Sequence, residues 1–126
     1  MRLLAVDDDA ASAELVVRVA ERCGFEAFAT SDSRGVVNLA KALNPHVIAV
    51  DICMPNIDAL ELFGLLAEAG YGGRILVVSG QEEHVLESAR KSATDLGLCA
   101  PGVLQKPIDF KRLRELLMSE EVQMVA

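Results

Sequence analysis

Three times along this chain a run of four apolar residues stops on a polar one, and each stop precedes a helical pattern. The central case is Val47-Ile48-Ala49-Val50, which ends on Asp51. A run that short and that apolar suits a strand covered on both faces. Met54-Pro55-Asn56 then breaks regular structure, and a helical pattern starts near Asp58. Asp51 is therefore expected at the carboxyl end of a buried parallel strand, beside the crevice where open α/β sheets bind ligands. An aspartate so placed can also simply cap the loop or the next helix, so its meaning depends on the other strand ends.

Leu3-Leu4-Ala5-Val6 is the first buried run, and it ends on Asp7-Asp8-Asp9. Three adjacent acids repel one another, so a positive partner is expected. A hard cation such as Mg²⁺ takes one or two carboxylates plus waters. The competing reading, acids favoured by the start of the next helix, accounts for Asp9 better than for Asp7. From Ala10 to Cys23, the residues Ala13, Val16, Val17, Ala20 and Cys23 share one helical face, and Gly24 ends the helix. Phe25 to Thr30 is a less apolar strand, expected nearer an edge. Ser31-Asp32-Ser33 offers a cap to a helix whose apolar face is Val36, Val37, Ala40 and Leu43. Asn44-Pro45 stops it.

The helix from about Asp58 to Ala69 is expected to bury Leu60, Phe63, Leu66 and Ala67. Ile75-Leu76-Val77-Val78 then ends on Ser79-Gly80, a hydroxyl beside a residue without a side chain. That pair can equally be an ordinary turn. Gln81 to Leu98 is helical, with Val85, Leu86, Ala89 and Leu96 as its larger apolar residues. Ala100-Pro101-Gly102 leads to a short strand, Val103-Leu104-Gln105, that ends on Lys106-Pro107. Lys106 is the one cation at an expected strand end, although a surface lysine at a turn would look the same; the proline can hold a cis bond that directs it. Asp109 caps a last helix with Phe110, Leu113, Leu116 and Leu117 inward. After Ser119 the apolar rhythm fades, so the domain is expected over 1–119, with 120–126 a tail or the start of a linker. His46 and His84 lack partners at metal-ligand spacing.

Five strands alternating with five helices through short loops imply one parallel sheet with helices on both faces. If strands one, three, four and five are neighbours, then Asp7, Asp8, Asp51, Ser79 and Lys106 meet in one crevice. That set suits phosphoryl transfer to Asp51, which is chiefly positioning and charge neutralisation. Mg²⁺ would be held by Asp8, Asp51, a backbone carbonyl, and Asp7 through water. Composition bounds the rest. The 126 residues are 52% hydrophobic but only 4% aromatic, so the core is aliphatic. A net charge of −7 argues against unassisted binding to nucleic acid or an anionic membrane. Cys23, Cys53 and Cys99 are too few and too scattered for a disulfide framework or zinc site, which suggests a reducing cytoplasm.

Val6-Asp7-Asp8-Asp9, Val50-Asp51 with Met54-Pro55-Asn56-Ile57-Asp58, Val78-Ser79-Gly80 and Leu104-Gln105-Lys106-Pro107 together resemble the receiver domain of bacterial two-component response regulators, over residues 2 to about 118. The resemblance implies a flavodoxin-like, three-layer (βα)5 fold, doubly wound, with strand order 2-1-3-4-5. It implies that Asp51 accepts a phosphoryl group from a sensor histidine kinase or histidine phosphotransfer protein. Asp7 and Asp8 would be the acidic Mg²⁺ pair, the Cys53 carbonyl a further metal ligand, Ser79 the switch hydroxyl and Lys106 the phosphate-binding lysine. The side chains of Cys53 and Gln81 would influence water at the phospho-aspartate. The function implied is a cytoplasmic signalling switch, not a turnover enzyme, acting on an output domain beyond Ala126 or a separate effector, with a homodimer through the fourth-helix face as a further family trait. The Gly-Leu…Pro-Gly-Val-Leu-Gln-Lys-Pro ending also looks like receivers attached to EAL-type cyclic-di-GMP phosphodiesterases.

Three departures stand out. Ala59 replaces a usual Gly, and Val103 replaces the usual Tyr or Phe, so no ring can turn inward there. Ser79 and Lys106 lie 27 positions apart, more than is usual, so the fourth helix or the loop after it should be longer. Two other functions compete. A pseudo-receiver, binding partners without phosphorylation, would need none of the acid, hydroxyl and lysine set. An aspartyl phosphatase would want an acid two residues after Asp51, where Cys53 stands.

Overall fold

The computed structural model describes residues 1–54 and 58–123. Its strands are β1 (Arg2–Val6), β2 (Glu26–Thr30), β3 (Val47–Asp51), β4 (Arg74–Ser79) and β5 (Cys99–Gln105). They form one sheet of order β2-β1-β3-β4-β5, every adjacent pair parallel. The helices are α1 (Ala10–Arg22), α2 (Val36–Leu43), α3 (Ala59–Glu68), α4 (Glu83–Asp95), α5 (Phe110–Leu117) and a single turn, α6 (Glu120–Gln123). This is the flavodoxin-like order that the resemblance implies. The weakly apolar β2 lies at one edge.

Alternation along each strand divides the core in two. Leu4, Val6, Ile48, Val50, Ile75 and Val77 pack under α2, α3 and α4, around Phe63, Leu62, Leu66 and Leu86. Leu3, Ala5, Val47, Ala49, Leu76, Val78 and Leu104 pack under α1 and α5, with Ala13, Val16, Ala20, Leu113 and Leu117. The strands are buried because both faces are covered, which is why their sequences are unbroken apolar runs.

Several local expectations need correction. In α3, Leu62 is buried and Leu60 is 52% exposed. The helix is apolar nearly all round, so its sequence does not give the phase of the inward face. Phe110 is likewise exposed, because the sheet-facing stripe of α5 runs through Leu113, Leu116 and Leu117. The fourth helix spans Glu83–Asp95, shorter than the expected 81–98, and buries Leu86 and Ala93 while leaving Leu96 exposed. Gly97, at φ +93°, closes it by letting the Leu98 N–H reach the Ala93 carbonyl. The fifth strand is longer than Val103–Gln105. It begins at Cys99 and runs through Pro101, with a register shift opposite Arg74 to Leu76. An edge strand tolerates a proline at such an irregularity, where no ladder N–H is needed. The long separation of Ser79 from Lys106 is thus absorbed by helix and strand, with only Leu96–Leu98 between them. Beyond Ser119, Val122 of α6 is fully buried in the second cluster, and the Glu121 carbonyl accepts from Arg74 Nε. Pro55, Asn56 and Ile57 of the acceptor-loop motif, and 124–126, lie outside the described residues.

Candidate functional site

Sheet register brings the strand ends to one edge. Val6 pairs with Val50, Asp51 with Val78, and Ser79 with Gln105. Asp7, Asp51, Ser79 and Lys106 therefore leave their strands side by side. Asp7, Asp51 and Ser79 are buried, at 5%, 4% and 0% exposure, and among the described residues the other buried polar one is Ser33.

The three consecutive acids have different surroundings. Asp9 caps α1, accepting from the Ala11 N–H at 3.1 Å and the Ser12 hydroxyl at 3.0 Å. Those bonds hold its carboxyl below the usual range. Asp7 instead points into the crevice. Its Oδ1 accepts from the Asp9 N–H at 2.9 Å and its Oδ2 from Lys106 Nζ at 2.8 Å. Burial nevertheless pushes the Asp7 carboxyl upward, against the lowering effect of those hydrogen bonds. Asp8 is exposed, yet oxygens of Asp7, Asp8 and Asp51 lie within 4.8 Å of one another.

Asp51 is held from both sides. Its Oδ1 accepts from the Cys53 N–H at 2.8 Å and its Oδ2 from Lys106 Nζ at 2.9 Å. Lys106 thus bridges both buried carboxylates, and the peptide bond to Pro107 is cis. Burial works against the ammonium, but the hydrogen bonds to Asp7 and Asp51 outweigh it and raise the lysine pKa. The Lys106 N–H donates to the Ser79 carbonyl at 2.8 Å, and the Ser79 Oγ accepts from the Gln81 N–H at 3.1 Å. Cys53 is exposed at the rim, where its Sγ accepts from Gln81 Nε2 at 3.3 Å. The Gln81 carbonyl accepts from Gln105 Nε2 at 3.1 Å. The role of Gln105 is not evident in the sequence, because it depends on which loop the end of β5 faces.

Three hard oxygen donors within reach of one another, with one ammonium to offset them, fit an ion such as Mg²⁺ with its waters completing the shell. The histidines stand apart from this cluster. His46, at the opposite end of β3, accepts the Arg2 N–H at 3.0 Å, and exposed His84 lies 3.2 Å from Glu82. Among the described residues, no helix is long and apolar enough to cross a membrane.

Residues 3–118 match the model of the response regulator receiver domain family. The chain is 29% identical over 120 residues to the positive alginate biosynthesis regulatory protein of Pseudomonas aeruginosa, covering 93% of this chain and 46% of that protein. It is 27% identical over 119 residues to chemotaxis protein CheY of Thermotoga maritima, covering 92% and 93%. The chain spans about half the length of the first curated relatives it matches, and nearly all of CheY. A response regulator crystal structure from Colwellia psychrerythraea superposes with a TM-score of 0.81 at 29% identity, covering 97% of each chain.

Proposed function

Because the chain belongs to the response regulator receiver domain family, we propose that it is a phospho-accepting switch with Asp51 as the acceptor. The observation that carries this reading is the buried Asp51 carboxylate, bonded by the Lys106 ammonium and the Cys53 N–H. A constitutive binding module needs no such arrangement, and burying carboxylates has a cost.

The Asp51 carboxylate would attack the phosphorus of a phosphohistidine or acyl phosphate. A new O–P bond forms, the bond from phosphorus to the donor breaks, and the donor imidazole or carboxylate departs. Asp7, Asp8, Asp51 and the Cys53 carbonyl would hold Mg²⁺, whose charge offsets that of the phosphoryl oxygens. Lys106 would turn from the carboxylates toward one phosphoryl oxygen. Ser79 would exchange its bond from the Gln81 N–H for another. The second move releases a contact of the loop after β4, which biases the surface of α4, β5 and α5. With Val103 in place of an aromatic, this bias passes through the loop backbone. The output is a downstream domain or a separate effector, and the setting is the cytoplasm.

A phosphodonor protein would find a suitable seat between α1 and α5. There Leu15 and Phe110 are exposed beside Arg18, Arg22 and Arg114. These two helices carry five of the chain's twelve Lys and Arg but only three acids, on an otherwise acidic molecule.

The test is intact-protein mass after incubation with acetyl phosphate and Mg²⁺, with Asp51→Asn alongside. One phosphoryl adduct on wild type alone is expected. If wild type shows none, Mg²⁺-dependent binding of beryllofluoride separates rapid hydrolysis from a domain that does not use phosphate. Failure of both would overturn the reading in favour of a phosphorylation-independent binding module.

A further inference from the structure

Gln81 is held from three directions. Its N–H donates to Ser79 Oγ, its carbonyl accepts from Gln105 Nε2, and its own Nε2 donates to Cys53 Sγ. Cys53 in turn donates its N–H to Asp51 Oδ1, while Lys106, next to Gln105, donates to Asp51 Oδ2. These contacts close a ring around Asp51 through Cys53, Gln81, Gln105 and Lys106. Val103 packs its small side chain on the core and cannot reach the loop as a ring would. The side-chain tie from β5 to the loop after β4 is the Gln105 amide.

We propose that Gln105 is a positioning residue that fixes Gln81 as a strap from the loop after β4 to Cys53, across the approach of water to Asp51. The consequence for phosphate rests on the reading of Asp51 as acceptor; the strap itself does not. A carboxamide can orient water but cannot take its proton at neutral pH. While its Nε2 is committed to Cys53, Gln81 is withheld from that task. Freed, it can hold a water in line with the acyl phosphate. In hydrolysis the water oxygen attacks phosphorus, the P–O bond to Asp51 breaks, and phosphate leaves with the carboxylate restored. The water's proton passes to solvent or to the departing phosphate.

Gln105→Leu keeps an aliphatic side chain of similar bulk and removes its donor at an exposed position. The first readout is alkylation of Cys53 by iodoacetamide, followed by peptide mass, with Cys23 and Cys99 as internal references. The expected result is a rise of about two- to tenfold at Cys53 alone, the change that loss of one ordinary hydrogen bond produces. Gln81→Ala should give a similar rise, with nothing added by Gln105→Leu on top of it. Gln105→Arg, which keeps a donor of sufficient reach, should stay near wild type. The second readout is decay of the acetyl-phosphate-generated adduct, which should quicken by a similar factor in Gln105→Leu and lose that sensitivity once Gln81 is Ala. An unchanged Cys53 rate in Gln105→Leu, or a full additional increment in the Gln81→Ala background, overturns the strap. An altered thiol rate with unchanged decay overturns its control of hydrolysis. If wild type neither accepts a phosphoryl group nor binds beryllofluoride with Mg²⁺, the acceptor reading fails, and the thiol rates still decide whether the strap exists.

Discussion

Replacing Lys106 with Met tests the electrostatic design of the site directly. The Lys106 side chain is 20% exposed and lies against carboxylates exposed by 6% and 5%. Its removal leaves Asp7 and Asp51 facing each other, with Asp8 close by. At an effective dielectric of about 20, two unit charges about 5 Å apart repel by about 3 kcal/mol. Removing one partner of a buried pair costs about 3–5 kcal/mol. Protonating a carboxyl caps the loss, since taking an ordinary carboxylate to its neutral form at pH 7 costs about 4 kcal/mol, and less for one already pushed upward. We expect a loss of about 2–4 kcal/mol at pH 7. The pH dependence has a definite sign. A carboxyl whose folded pKa is raised binds more protons folded than unfolded, so stability falls as pH climbs from its unfolded pKa through its folded one. Without the ammonium this rise in the Asp7 pKa grows, so the deficit should be smaller at pH 5 than at pH 7. Urea titrations of Lys106→Met and wild type at both pH values measure it. Adding 10 mM Mg²⁺ (about that much, to favour binding by mass action) should restore more stability to the variant than to wild type, and Asp7→Asn should recover part of the loss. A variant within about 0.5 kcal/mol of wild type at pH 7, or a deficit independent of pH, would refute the argument.

Other perturbations test other parts of the fold. Tyr71, the chain's one tyrosine, donates its phenol to the Pro45 carbonyl at 3.0 Å, and burial drives its pKa well up. Wild type should lose about 1.4 kcal/mol of stability per pH unit above the ordinary tyrosine value near 10, as the unfolded chain ionises and the folded one does not. Tyr71→Phe should lack that component, which the difference between the two denaturation series at pH 9 and 11 isolates, and at pH 7 it should cost about 1 kcal/mol. A methyl group at Gly73 would fall on the Tyr71 hydroxyl and 2.8 Å from the His46 carbonyl. Gly73→Ala should therefore lower the urea midpoint by the equivalent of about 1–3 kcal/mol. Arg18→Glu with Arg114→Glu should slow phosphoryl transfer from a protein donor on the order of tenfold while leaving acetyl phosphate uptake unchanged; equal slowing with both donors would rule out a docking role.

The architecture was legible because each central strand is covered on both faces. Such strands are written as apolar runs, and the first polar residue after each run marks a strand end. Asp7, Asp51 and Ser79 are marked in this way, whereas Lys106 follows the short edge-strand run Val103-Leu104-Gln105. The inward faces of α3 and α5 were less legible. Leu60, Leu62, Phe63, Leu65 and Leu66 crowd one helix, so periodicity alone leaves more than one phase open, and docking on the sheet selects it. Pro101 and Gly102 look like loop residues, yet an edge strand with a local register shift includes both.

The chain's own order therefore determined a five-strand parallel α/β domain and the chemical inventory of its crevice. Those are local properties: apolar runs, caps, turns, and the residue that ends each strand. Tertiary structure alone decided how the inventory is wired. That Lys106 bridges Asp7 and Asp51, and that Gln105 ties down Gln81, both depend on register between strands distant in sequence. A hydrogen bond is decided by a few tenths of an ångström, and the spacing of residues along a chain carries no such distance.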